Sequence, residues 1–184
     1  IRVDGPTVDE EEKTFCYQVV TKAGHVAIEP LKKFILSNNA VYFPLRALRD
    51  IAGDEVAVST LLQAMDDCDP GYHDGLERLR EIVSNLRDFQ HERVREALSG
   101  LLESRSDEIR FYALDGLATY PSDDIASLFA ARLLDEEETQ RVKGLACELA
   151  VDKELRFKKW ATELAPKLGP SYRFDSDFRI QRKG

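Results

Sequence analysis

The 184-residue chain is expected to fold as an all-α protein, an α-solenoid of about five antiparallel helix pairs, with a short C-terminal β-hairpin or extended strap. Three observations predict this. Apolar residues recur at spacings of three and four almost throughout, the period of a helix with one buried face. Strand-like alternation appears only after Gly169. Helix-ending and helix-packing residues also come back at fixed intervals: Gly24 and Gly53 lie 29 apart, and Ala113 and Ala146 lie 33 apart. A return every ~30–35 residues is the mark of stacked helix pairs that bury their apolar stripes only against each other.

The elements follow in order. A first helix over about 9–23 would turn Phe15, Cys16, Val19, Val20 and Ala23 inward and stop at Gly24. A second, about 26–37, offers Ile28, Leu31, Phe34 and Ile35 and ends at Ser37-Asn38-Asn39. The third, about 40–52, carries Leu45, Ala47, Leu48, Ile51 and Ala52. It has Pro44 in its first turn, where a missing N–H costs little, and Gly53 at its end. The fourth, about 54–66, uses Val58, Leu61, Leu62 and Met65 before the sequence DDCDPG breaks the chain.

A fifth helix, about 72–87, would bury Leu76, Leu79, Ile82, Val83 and Leu86; a sixth, about 90–104, Val94, Ala97, Leu98, Leu101 and Leu102. The seventh, about 107–119, would bury Ile109, Ala113, Leu114 and Leu117 and end before Pro121. Ser122-Asp123-Asp124 offers caps for an eighth, about 123–135, with Ile125, Leu128, Phe129 and Leu133 inward. The ninth, about 138–151, repeats the seventh: DEIRFYALDGLA at 107–118 matches TQRVKGLACELA at 139–150. A tenth, about 153–167, holds Leu155, Phe157, Leu164 and the only tryptophan, Trp160, expected to be mostly buried. Beyond it Tyr172, Phe174, Phe178 and Ile180 keep even spacing around a turn at Ser176-Asp177, which reads as a hairpin capping the last pair. The organisation is then a leader over 1–8, a helical repeat domain over 9–168 and a tail or cap over 169–184. Because the chain opens on Ile1 rather than Met, the leader is expected to be truncated.

The stretch SDEIRFYALDGLATYPSDDIASLFAARLLDEEETQRVKGLACELA resembles HEAT repeats of the short bacterial type, also called PBS-lyase HEAT-like repeats. Asp107, Ile109, Arg110, Ala113, Leu114 and Leu117 match the first helix of that pattern. Ile125, Leu128, Leu133 and Leu134 match the second, and Arg141, Val142 and Ala146 open the next repeat. The likeness is good over about 105–150, moderate over 40–66 and weak over 71–104. It implies a fold. The family's members include scaffolds, chromophore lyases, hydroxylases and DNA glycosylases, so activity has to be argued from a site.

The residues supply little chemistry. HEAT-type di-iron hydroxylases use repeated His-Glu pairs; here His91-Glu92 is the only such pair, and it reads as a polar helix start. No metal or other cofactor is expected. The net charge of −8 opposes a phosphate backbone, and the basic clusters (Lys32-Lys33; Lys153, Arg156, Lys158, Lys159; Arg179, Arg182, Lys183) are interleaved with acids, so no nucleic-acid partner is expected. There is no GxSxG, no glycine-rich phosphate loop and no calcium-loop spacing. The acidic runs at 9–12, 66–69 and 135–138 read as turns and helix starts, where carboxylates favour the dipole. The cysteines, Cys16, Cys68 and Cys147, are odd in number and far apart, as small hydrophobes in a reducing, cytoplasmic setting. No run of about 18 apolar residues exists to span a membrane, and no membrane partner is expected.

What remains is a non-enzymatic scaffold or adaptor binding another protein through the face lined by the second helix of each pair. By helical phase its contacts would be Glu29, Lys32, Lys33, Thr60, Gln63, Arg93, Glu96 and Arg132. The competing readings are a lyase- or isomerase-like enzyme with a pocket between repeats, and a structural module of a larger protein.

Overall fold

The computed structural model describes residues 6–68 and 73–183 and is all-α with one small hairpin near the C-terminus. It divides into two compact units, Ile1–Phe89 and Gln90–Gly184.

In the first unit α1 (Pro6–Ala23) leads through a 3-10 helix (Gly24–Ala27) into α2 (Ile28–Ser37). Then come α3 (Tyr42–Ala52), α4 (Asp54–Asp66) and α5 (His73–Leu86). Gly24 and Gly53 both adopt positive φ, +65° and +84°, the left-handed conformation that lets a glycine turn the chain sharply at a helix end. One residue therefore suffices between α3 and α4. Helix α1 packs on α3, α2 packs on both α3 and α4, and α4 meets α5. Ile35, Leu48, Val58, Leu61, Ile82 and Leu86 are fully buried between them. Residues 69–71 of the expected chain break after α4 lie outside the described residues, as do residue 72, at the expected start of the fifth helix, and residues 1–5 of the expected leader.

Three expectations for this unit are corrected. Helix α1 begins at Pro6, three residues before the expected start at about 9, so the acidic run at 9–12 lies inside the helix and does not open it. Its expected inward set is largely outside: Phe15, Cys16, Val19 and Ala23 are exposed and Val20 is half-buried. The helix turns its Tyr17–Val20 edge to α3, which leaves the Phe15–Val19 stripe uncovered. Phe34, taken as core, is also exposed.

The second unit contains α6 (Glu92–Leu101), α7 (Asp107–Leu117), α8 (Ser122–Leu134), α9 (Gln140–Asp152), a single turn α10 (Ala161–Leu164), and the strands β1 (Tyr172–Phe174) and β2 (Ile180–Arg182). Capping side chains start three of the helices: His91 Nδ1 accepts from Arg93 N, Ser106 Oγ from Ile109 N, and Thr139 Oγ1 from Val142 N. Helix α8 begins on Ser122 itself, so Pro121 takes the N-cap position and no side-chain cap bond forms there. Helix α6 packs on α7, α7 on α9 and α8 on α9. Ala113 and Ala146 are fully buried, and residues this small let the axes of α7 and α9 approach closely.

The expected tenth helix over 153–167 is corrected to one turn. Residues 153–160 run instead as turns and extended chain. Glu154 takes a positive φ of 51°, Arg156 forms an isolated antiparallel bridge with Arg179, and Phe157 N donates to Phe178 O. Leu155 and Phe157 are buried by this strap, whereas Trp160 is only half-buried. The hairpin pairs Tyr172 with Arg182 and Phe174 with Ile180. Strand β2 lies against α9, which buries Ile180.

Candidate partner-binding surfaces

The binding face expected from the sequence would lie on the second helices, and in the first unit these are α2 and α4. Their packing leaves a shallow cleft of about 220 Å³ lined by Lys32, Glu55, Val56, Ser59, Thr60 and Gln63. Three of the expected contact residues, Lys32, Thr60 and Gln63, thus meet at one place. Lys32 Nζ is held by Glu29 Oε1 at 2.9 Å one helical turn away, and Glu29, Lys33 and Gln63 are exposed. Thr60 is corrected. It is 2% exposed, and its hydroxyl donates back to Val56 O at 2.7 Å, so it shapes the cleft floor without offering a free polar group.

In the second unit Arg93 and Glu96 are exposed one turn apart on α6. The His-Glu pair at its start is a capping turn: His91 is the N-cap, its Nδ1 accepts from Arg93 N at 3.2 Å, and its backbone oxygen accepts from Tyr120 Oη at 3.0 Å. Burial raises the Tyr120 pKa, against the opposing effect of its bond to the His91 backbone.

Arg132 is corrected as well. Its side chain is 13% exposed. Nη1 donates to Leu102 O and Nη2 to Glu103 Oε1, with the carboxylates of Asp135 and Glu138 at 3.6 and 3.8 Å. The Glu138 side chain is wholly buried. It accepts two hydrogen bonds from Arg110, Nε at 2.8 Å and Nη2 at 2.7 Å, and one from Thr139 N. Arg110 also donates to Ser104 O at 2.7 Å. These bonds tie the α6–α7 connection to the α8–α9 connection. A run of acids that reads as solvated turn therefore ends in a buried ion pair, and Arg132 is part of the same framework, not a free contact.

Sequence reasoning missed two further surfaces, both in the first unit. One is a groove of about 280 Å³ along α3 and the end of α5, lined by Tyr42, Arg46, Arg49, Asp50, Asn85, Asp88 and Phe89. Arg49 is fixed by two hydrogen bonds to Asp54, at 2.6 and 3.2 Å, and lies 4.8 Å over the Phe89 ring. Arg46 lies 4.8 Å over Tyr17, whose hydroxyl donates to Asp50 Oδ2. That bond to Asp50 is the main reason the Tyr17 pKa is raised. The signal was present as Tyr42, Arg46, Arg49 and Asp50 at helical spacing, but on a first helix, where the reading sought only core. The other surface is an apolar groove, also about 280 Å³, between α1 and α3, lined by Cys16, Tyr17, Val20, Leu31, Phe43, Pro44 and Ala47 with Glu12 and Lys13 at its rim.

Among the described residues no group of three or more His, Cys, Asp or Glu is placed to hold a metal ion, and no helix is long and apolar enough to cross a membrane. Comparison with protein-family models, with curated proteins and with solved structures finds no match to this chain.

Proposed function

We propose that this chain is a non-catalytic, HEAT-like helical-repeat scaffold of the cytoplasm that binds another protein through the outer faces of its second helices. The observation that carries the reading is the packing in the first unit. There α1 lies on α3 and α2 on α4, so that second helices adjoin and share a cleft with Lys32 and Gln63 on its walls. This is the neighbour-on-neighbour stacking from which helical repeats build a continuous binding face. The revised contact set is Glu29, Lys32, Lys33 and Gln63 on one unit and Arg93 and Glu96 on the other, with Thr60 and Arg132 assigned to the framework. Rim charges of this kind steer and select a partner more than they hold it.

The test is affinity purification from the native cell with this chain as bait and mass spectrometry of what is retained. It is run beside a Lys33→Glu, Gln63→Glu double variant. A protein retained by the parent and lost from the variant supports the reading. Equal retention by both removes the α2/α4 face from it.

The α3/α5 groove favours a second reading, an enzyme or small-molecule binder with its pocket lined by Arg46, Asn85 and Asp88. A compound that raises the melting temperature of the parent chain but not of an Asp88→Ala variant would favour it over the scaffold.

A further inference from the structure

We infer that the outer face of α1 is a self-association surface on which a second copy of this chain packs with its own α1 running antiparallel. The large apolar residues exposed among the described ones are Phe15, Val19, Val26, Phe34, Tyr42 and Phe178, and all but the last lie between residues 15 and 42. Single exposed apolar residues are ordinary on a protein surface. Phe15 and Val19 are 66% and 50% exposed and lie one turn apart on the same helix, so they form a continuous stripe.

The charges at the two ends of that stripe identify the occupant. At about 100° per residue, Glu12, Phe15, Val19 and Lys22 fall within about 80° of the helix circumference. Their spacing is three, four, three, and it reads the same in both directions. A two-fold axis at the level of Tyr17 sets Phe15 of one copy against Val19 of the other, and Glu12 of each copy against Lys22 of the other. Glu12 and Lys22 are both exposed, and neither has an ion-pair partner among the described residues. An acid, two apolar residues and a base in this order are self-complementary only in the antiparallel sense; a parallel pairing would oppose like charges. Such an interface is isologous and closes at two copies. Apart from Glu12, which also rims the α1/α3 groove, it uses the face of α1 away from α3, and it is independent of the partner surface on α2 and α4.

Sedimentation velocity of the whole chain over about 1–200 µM is the experiment, at low salt, where exposed ion pairs act most strongly. The parent is expected to shift from monomer to dimer across that range. Val19→Glu should abolish the dimer. Glu12→Lys alone and Lys22→Glu alone should each raise the dissociation constant about tenfold or more, since both symmetry-related contacts turn from attraction to repulsion. Mixing those two single variants should restore association, because each contact then pairs Lys with Glu. Circular dichroism equal to the parent's confirms that these exposed positions leave the fold intact. A parent chain monomeric throughout overturns the proposal, including where another protein proves to cover the face. So does a dimer unmoved by Val19→Glu, or one that the mixed variants fail to restore.

Discussion

The Glu138 carboxylate is completely buried and receives the Arg110 guanidinium through two side-by-side hydrogen bonds, 2.8 Å from Nε and 2.7 Å from Nη2. The pair spans 28 residues and joins the first turn of α7 to the α8–α9 connection. Removing one member of a buried pair leaves the other charge unpaired in a poor solvent for it, which costs about 3–5 kcal/mol. Glu138→Ala and Arg110→Ala should each destabilise the second unit by that order. The double variant should cost much less than the sum of the two. A double-mutant cycle by chemical denaturation checks this; additive effects would mean that the two side chains act separately.

That pair also shows where the sequence was legible and where it was not. The 33-residue return of Ile109 to Val142 and of Ala113 to Ala146 is written in one dimension, and all four residues are buried as read. Gly24 and Gly53 end their helices as read, because positive φ is a local demand with a local residue signature. Glu138 and Arg132 were misread because a charged residue beside a turn looks the same whether it faces water or a guanidinium brought from a distant position. Helix α1 was misread for a related reason. Its apolar residues spread over a wide arc, and only the position of α3 decides which edge is covered. Helical phase is read one helix at a time, so the Arg46–Arg49–Asp50 stripe, completed by Asn85 of α5 and by Asp88 just beyond its end, is not visible to it.

The C-terminal hairpin should stabilise the second unit through Ile180. This residue is 2% exposed, its strand lies against α9, and its pairing partner Phe174 packs 6.4 Å from the Phe157 ring. Ile180→Ala should lower stability by ~2–5 kcal/mol. Trp160, half-buried in the strap that Arg179 and Phe178 hold, supplies the fluorescence signal. An unchanged denaturation midpoint would show that the hairpin does not contribute to the unit.

The three cysteines should react in a fixed order. Thiolate is the reactive form. Cys16 is exposed, Cys68 is half-buried with its pKa raised by burial against the opposing effect of Arg78, and Cys147 is buried with its pKa pushed up to about 11. Alkylation of the native protein near neutral pH, read by mass spectrometry, should mark Cys16 first and Cys147 only on unfolding. The sign for stability follows from the same shift. The folded value lies above the unfolded 9.0, so the contribution of the Cys147 thiol is fully present below pH 9 and is lost as pH rises toward 11. A Cys147→Ala variant should lose less stability than the parent across that window. Identical pH profiles would remove Cys147 as the source.

Arg78 should hold the end of α2 from a distance of forty residues. It lies on α5, and its guanidinium donates to three backbone oxygens: from Nη2 to Ile35 at 3.1 Å and Leu36 at 2.5 Å, and from Nη1 to Asn38 at 3.1 Å. The last carbonyls of a helix have no partner within it, and a cation beside them is favoured by the helix dipole. No residue next to Ser37 in sequence offers such a cation, so the chain brings one from α5. Hydrogen bonds to a charged donor contribute about 1.5–3 kcal/mol, and Arg78→Ala should cost about that much. Arg78→Lys should recover only part of it, because an ammonium on a flexible stem cannot reach three oxygens with the geometry of a planar fork. Hydrogen exchange separates this from a general loss of stability. The amides of Val41 and Leu45, whose bonds to Asn39 O and Val41 O lie just beyond the capped end, should exchange faster in Arg78→Ala, while those of α7 and α9 should stay protected. Equal acceleration in both units would mean that Arg78 supports the whole fold and not the end of α2.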